Sequence, residues 1–204
     1  MSDAHQLPGR RVFVKHDDNA GSVSRKISMA ALPDAKQGFP VRVNTKHASA
    51  TNVGIKAAAI ATARLAQTEP AKSIAIIPSF RDNRSEISLF VDDISNLEDG
   101  DIETNDTVNF TVGGKSDPKA SAGAIANAAR ERKSCTVQAI GADAVFNAVK
   151  AIAIAREYLK DKDDGVDLYI TVGFTKVRFE GRDEDTTAVK YTCYLYEGSL
   201  TIYH

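Results

Sequence analysis

Hydrophobic positions recur along the chain in two series of elements that share one order. Arg10 to Lys15 reads as a strand, with Val12, Phe13 and Val14 between basic flanks. His16 to Gly21 is a polar turn, and Ser22 or Ser24 is placed to cap a helix that runs through Ile27, Met29, Ala30 and Leu32 and stops at Pro33. After a loop over 34–40, Val41 to Thr45 predicts a second strand. An Ala-rich helix follows, beginning near Ser49 to Asn52 and ending near Gln67. Ser73 to Ile77 predicts a third strand, Pro78 to Ser85 a loop or hairpin turn, and Glu86 to Val91 a fourth strand with Ile87, Leu89 and Val91 alternating.

The same order returns after an acidic join. Val108 to Val112 is a strand, Gly113 to Pro118 a glycine-rich turn, and Ser121, or Lys119-Ala120 just before it, leads into a helix that runs to Arg132. A β-favouring run from Cys135 passes through Gly141 into a helix of Ala, Val and Ile that ends at Leu159. Val166 to Val172 is a strand, Lys176 to Asp185 a hairpin arm, and Thr186 to Tyr196 the returning strand, with a short edge strand expected over Ser199 to Tyr203.

Val41 to Leu65 and Cys135 to Leu159 align without a gap at a spacing of 94 residues, while the first copy carries four extra residues before its second strand. Val43 meets Val137, Lys56 meets Lys150, Ile60 meets Ile154 and Leu65 meets Leu159, and the register persists to Ile76 with Ile170 and Phe80 with Phe174. Such self-similarity reads as an internal duplication. Each copy, β-α-β-α-β-β, is long enough for a core of its own. Right-handed crossovers put both helices of a copy on one sheet face and leave the other face open, for a partner or for the other copy. The expected division is a flexible tail over 1–9, a first domain over 10–97, an acidic linker over 98–107 and a second domain over 108–204.

Composition narrows the picture. No apolar run reaches the ~18 residues of a membrane span, and MSDAHQLPGRR has no hydrophobic leader core, so the cytoplasm is the expected location. Cys135 and Cys193 read as reduced, buried apolar residues. The net charge of −1 is unevenly spread: 1–97 hold 13 Lys and Arg against 9 Asp and Glu, while 98–204 hold 13 against 18. Any polyanion site must therefore be a local patch.

Catalytic and metal chemistry find no support. The histidines (His5, His16, His47, His204) and the two cysteines lack metal-ligand spacing, and no serine sits in a nucleophile elbow. Gly113-Gly114-Lys115-Ser116 lacks the first glycine of a nucleotide-phosphate loop, position 109 being Asn, and reads as a tight turn. No enzymatic activity and no cofactor are expected.

Basic residues carry the remaining signal. Lys56 and Lys150 stand at the same place in the two Ala-rich helices, where a lysine either lays its stem on apolar surface or reaches a phosphate. Lys15 follows the first strand and Lys46 the second, while Lys115 and Lys119 occupy the matching turn of the second copy. Arg81 and Arg84 lie in one hairpin, and Lys176, Arg178 and Arg182 in the other. Such a rim can track a phosphate chain. It can equally be a solvated charged surface, since Asp82, Glu86, Asp183, Glu184 and Asp185 lie nearby. Phe80 and Phe174 are core residues or stacking platforms for bases.

Residues Ser116 to Leu159, SDPKASAGAIANAARERKSCTVQAIGADAVFNAVKAIAIAREYL, closely resemble the stage V sporulation protein S family. The Ser-x-Pro turn, the Ala-Gly-Ala helix, the Gln-Ala-Ile-Gly-Ala strand exit and the Ala-Val-Lys-Ala-x-Ala-Ile-Ala-Arg helix carry the likeness, which spans about 108 to 196. The first copy looks like a diverged version: it lacks the Ser-x-Pro turn and has Lys46-His47 where the second has Ile140-Gly141. That family is similar to the Alba-like group. The resemblance implies two tandem α/β (α+β type) Alba-like domains, each a four-stranded mixed sheet with two helices on one face. It also implies small DNA- or RNA-binding modules that often work as dimers. The lysine at the first strand-to-helix turn (Lys115, more loosely Lys15) and the last-hairpin residues Arg81, Arg84, Lys176, Arg178 and Arg182 would contact nucleic acid.

The expected function is a non-enzymatic nucleic-acid-binding protein. RNA or single strands are favoured over duplex DNA, because a near-neutral chain lacks the dense positive field that a duplex rewards. A homo-oligomer is allowed by this reading. The alternative is a protein-binding scaffold or developmental regulator.

Overall fold

The computed structural model describes residues 10–31, 40–81, 85–94, 97, 101–104, 106–162, 165–178 and 184–200. Strand β1 spans Arg10–Val14 and helix α1 Ala20–Ser28, followed by a short 3-10 turn over Met29–Ala31. The cap of α1 is Asn19, whose side chain accepts from the Ser22 amide at 3.1 Å. Ser24 and Ser28 instead turn their hydroxyls back onto the carbonyls of Gly21 and Ser24. Strand β2 is Val41–Thr45, α2 His47–Leu65, β3 Ile74–Arg81 and β4 Glu86–Asp93. After the join come β5 (Thr107–Val112), α3 (Pro118–Arg130), β6 (Ser134–Ala139), α4 (Ala142–Asp161), β7 (Val166–Val177) and β8 (Thr186–Glu197). Helix α3 starts earlier than expected, because Asp117 caps it by accepting from the Lys119 amide at 3.0 Å and Pro118 takes the first helical position.

The eight strands form one mixed sheet in the order β1-β2-β4-β3-β7-β8-β6-β5. The expectation of two separate four-stranded sheets gives way to this single one. The pairs β1–β2 and β5–β6 are parallel and the others antiparallel. The seam between the halves is β3–β7, where Ile76 lies opposite Ile170. Pairing there satisfies a strand edge that each half would otherwise expose.

All four helices cover one face. Val23 and Ile27 of α1, Ile55 and the alanines of α2, Ile125 of α3 and Ile152 and Leu159 of α4 share one core with Val12, Val43, Ile76, Leu89, Val137, Ile170 and Cys193 from the strands. Small residues set the spacing: a Cβ added at Gly54 would stand 3.0 Å from Thr45 Cγ2. Helices α2 and α4 pack on each other over the seam. Cys135 and Cys193 are buried free thiols and register partners. Among the described residues, no helix is long and apolar enough to cross a membrane.

The opposite face is not left open at its centre. Ala75, Ile77, Phe90 and Tyr169 pack there against Leu97, just before the join, and Leu200 near the end of the chain. Tyr169 donates to the Asp101 carboxylate at 2.7 Å and stacks on Tyr194 with ring centroids 5.1 Å apart. The Ile102 amide donates to the Leu195 carbonyl. The join is thus tied to the sheet. The edge strand expected over Ser199 to Tyr203 does not begin at Ser199 or Leu200, and 201–204 lie outside the described residues.

One buried ion pair fastens these layers. Arg156 of α4 grips Asp167 with two hydrogen bonds of 2.7 and 2.8 Å and donates to the Pro78 carbonyl, across the seam, at 2.7 Å. Asp167 also accepts from the Leu168 and Leu200 amides. All three guanidinium nitrogens and both carboxylate oxygens have partners, the condition for placing such charges in a core.

Candidate nucleic-acid interface

Parallel pairing of β1 with β2 sends both chains out of the sheet at the same end, where they turn into α1 and α2. Between the two exits lies a cleft of about 500 Å3 with Phe13, Lys15, His16, Lys46, His47 and Glu86 among its walls. Lys46 reaches Glu86 at 2.6 Å. Its side chain has only donors, so it leaves the first amides of α2 uncapped. His47 has φ +63°, where its counterpart Gly141 has φ +90°. A histidine tolerates this left-handed turn less readily than glycine. Arg81 ends β3 at this end of the sheet, opposite Glu86.

The counterpart place in the second half is closed. Ser116 Oγ accepts from the Gly113 amide at 2.9 Å, which tightens the turn that bears Lys115. The Asn147 amide of α4 then donates to the carbonyls of Gly113, Gly114 and Ser116. A Cβ at Gly114 would come within 3.3 Å of Asp143 Cβ, so glycine lets the turn lie on the start of α4. Asp143 supplies a carboxylate in the first turn of that helix, a favourable match to its dipole. Lys115 and Lys119 are exposed beside it.

The β7–β8 arm extends from this same end. The last β6–β8 pair is Ala139–Val189, whereas β7 and β8 continue to Val177–Thr186, so the tip stands clear of β6. Lys176 is exposed and donates to Thr187 Oγ1 at 3.0 Å. Arg178 pairs with Asp185 at 3.2 Å, with both side chains largely exposed. Arg84 and Arg182 lie outside the described residues. Phe174 is 47% exposed on the arm, while Phe80 packs against the core. The two phenylalanines therefore part company.

The expected residues do not form one rim. Because β3 and β7 run antiparallel, the two hairpins point to opposite ends of the sheet. Lys15, Lys46 and Arg81 gather at one end, and Lys115, Lys119, Lys176 and Arg178 at the other. Lys56 and Lys150 lie mid-helix, apart from both. Lys56 is exposed, whereas Lys150 sets its amine 5.2 Å from the centroid of the Phe146 ring.

Sequence reasoning passed over Arg42 and Phe13. Arg42 lies over the Phe90 ring at 4.5 Å on the sheet face away from the helices. Burial first, then the charges of Arg11 and Arg81, lower its pKa from the ordinary value. The register partners Arg11, Arg42 and Phe90 thus replace the Asn109, Thr136 and Thr192 of the second half. Period-two alternation was the available signal, since inward Val12, Val14, Val41 and Val43 force Arg11, Phe13 and Arg42 outward.

Residues 108–195, from β5 into β8, match the Stage V sporulation protein S (SpoVS) family.

Proposed function

We propose that this chain is a tandem duplication of an Alba-like, sporulation protein S-like domain that binds nucleic acid without catalysing a reaction. RNA or another single strand is held through its phosphates, with low sequence specificity. The observation that carries the reading is the grouping of exposed Lys115, Lys119, Lys176 and Arg178 around one end of the second half, beside the exposed ring of Phe174. Lysine and arginine supply phosphate contacts, and a solvent-facing ring supplies a stacking surface that accepts any base. Lys15, Lys46 and Arg81 at the other end, with Arg11 and Arg42 on the adjoining sheet face, give the first half a positive surface of its own.

The reading is tested by replacing Lys115, Lys176 and Arg178 together with alanine and titrating a labelled mixed-sequence RNA. Affinity is expected to fall severalfold with no change in sequence preference. The melting temperature should hold, because exposed ion pairs such as Arg178–Asp185 contribute little to stability. Unchanged affinity would remove this end from the interface. If neither single strands nor duplex bind at low salt, a protein-binding scaffold becomes the better description.

A further inference from the structure

We propose that the cleft at the C-terminal ends of β1 and β2 is a seat for one nucleoside monophosphate unit, free or within a single strand. The proposal deepens the nucleic-acid reading and rests on it. The phosphate would meet the start of α2, and the base would lie on Phe13.

Neither α2 nor α4 has a side-chain cap at its start, but α4 carries a first-turn carboxylate that α2 lacks. A helix of 19 residues leaves its first amides pointing outward with partial positive charge. Asp143 answers that charge in α4, but its counterpart in α2 is Ser49, and the first turn of α2 holds no acidic residue. The Asn147 amide that clamps the turn onto α4 has Val53 as its counterpart, which cannot clamp. The first half is left with an open cleft and a helix end able to accept an anion.

A buried donor on the cleft wall points the same way. Asn44 is only 4% exposed and lines the cleft. Its Oδ1 accepts from Ser88 Oγ at 2.8 Å, but among the described residues its Nδ2 has no partner. Buried amide hydrogens are nearly always bonded, so an acceptor is missing there. A phosphate oxygen or the polar edge of a base would be such an acceptor once the Asn44 side chain rotates toward the cleft, since Nδ2 is itself sealed from solvent. Lys15 and Lys46 bring positive charge to the cleft, against Glu86 in its wall and Asp18, whose carboxylate accepts from the Lys15 amide at 2.9 Å.

Phe13 supplies the apolar part. Its ring is 64% exposed at the cleft, where the second half has Thr111. An exposed ring beside a phosphate seat fits a ligand that joins a phosphate to a flat heterocycle. The cleft volume of about 500 Å3 lies within the usual span for a small ligand.

The test titrates the full chain with 5′-AMP, adenosine, inorganic phosphate and a short RNA. Saturable 5′-AMP binding is expected, with phosphate weaker and adenosine weakest. Ser49→Asp places a carboxylate where Asp143 stands, so it should weaken 5′-AMP by roughly tenfold or more while holding or raising the melting temperature. Phe13→Ser should weaken 5′-AMP by about fivefold or more and leave inorganic phosphate unchanged. No 5′-AMP binding alongside intact RNA binding overturns the cleft and spares the nucleic-acid reading. Binding of 5′-AMP that Ser49→Asp leaves unchanged also overturns it, since the ligand then sits elsewhere. If 5′-AMP binds and RNA does not, the seat stands as a free-nucleotide site and the nucleic-acid reading falls.

Discussion

Ile76 and Ile170 face each other across the β3–β7 seam, and each holds in its own half the position that the other holds in the opposite half. A pair that is both opposite and equivalent marks a local two-fold axis. The strand order accordingly reads the same inward from β1 as from β5. Both side chains are fully buried beneath α2 and α4. Alanine at either position is expected to cost about 2–5 kcal/mol. The two losses should not add, because the residues share one packing site. Urea unfolding followed by tyrosine fluorescence and by circular dichroism should give one coincident transition. Two separated transitions would show that the halves do not share a cooperative core.

The Arg156–Asp167 pair predicts a sharper loss. Arg156→Met leaves the fully buried Asp167 carboxylate with only the more distant Lys160, 3.6 Å away, and frees the Pro78 carbonyl. Removing one partner of a buried pair costs about 3–5 kcal/mol. The double variant Arg156→Met, Asp167→Asn should lose less than the sum of the two single changes. Additive losses would mean that the pair is not coupled as its geometry implies.

Alkaline pH should weaken the fold. The hydrogen bond with Cys135 and then burial push the Cys193 thiol well above its ordinary value, and burial does the same to the Tyr191 phenol. In the unfolded chain these groups ionise near about 8.5 and 10. Above those values the unfolded state binds fewer protons than the folded state, so stability falls as pH rises. It is complete below about pH 8.5, and each group then removes up to about 1.4 kcal/mol per pH unit. The urea midpoint should begin to drop near pH 8.5, and less steeply in Cys193→Ala until tyrosine joins. A flat midpoint to about pH 11 would contradict the assignment.

Salt dependence tests the proposed nucleic-acid binding and separates its modes. With about three to five phosphates neutralised, log affinity for a single strand should fall against log salt with a slope near −2 to −4. Affinity carried by stacking on Phe174 persists at high salt, and Phe174→Ser should remove that residue. A steeper slope with duplex preferred would point to coating of double-stranded DNA.

The placement of basic groups at opposite ends predicts two separable sites. Short single strands should saturate at two per chain, and the Lys115, Lys176, Arg178 triple alanine variant at one. Native mass spectrometry or calorimetry reads the stoichiometry directly. Saturation at one in the wild-type chain would confine binding to one half.

Much of the fold is written in local pattern. Alternation at Ile87, Leu89 and Val91 places β4, and the spacing of 94 residues carries Lys56 and Lys150 into corresponding helices. Pro78 misled the reading of β3, which continues to Arg81. Proline has no amide to donate, but its carbonyl is taken by Arg156 and it remains a register partner of Leu89. The site was less legible. Which cations share an end depends on the antiparallel seam, a contact between residues far apart in sequence that no local spacing encodes. The cleft depends on what one half lacks, a carboxylate at Ser49 and an amide at Val53, and that emerges only when the halves are laid on the structure.

If the two halves are copies of one domain, as proposed, His47 in the place of Gly141 bears on how such a chain diversifies. Two identical subunits around an axis inherit every substitution twice, so a conformational penalty at that turn would be doubled and both clefts would open together. Within one polypeptide the penalty falls on one side alone. The half that keeps Gly141, Asp143 and Arg156 can hold the fold, while its counterpart is free to trade stability for a new surface.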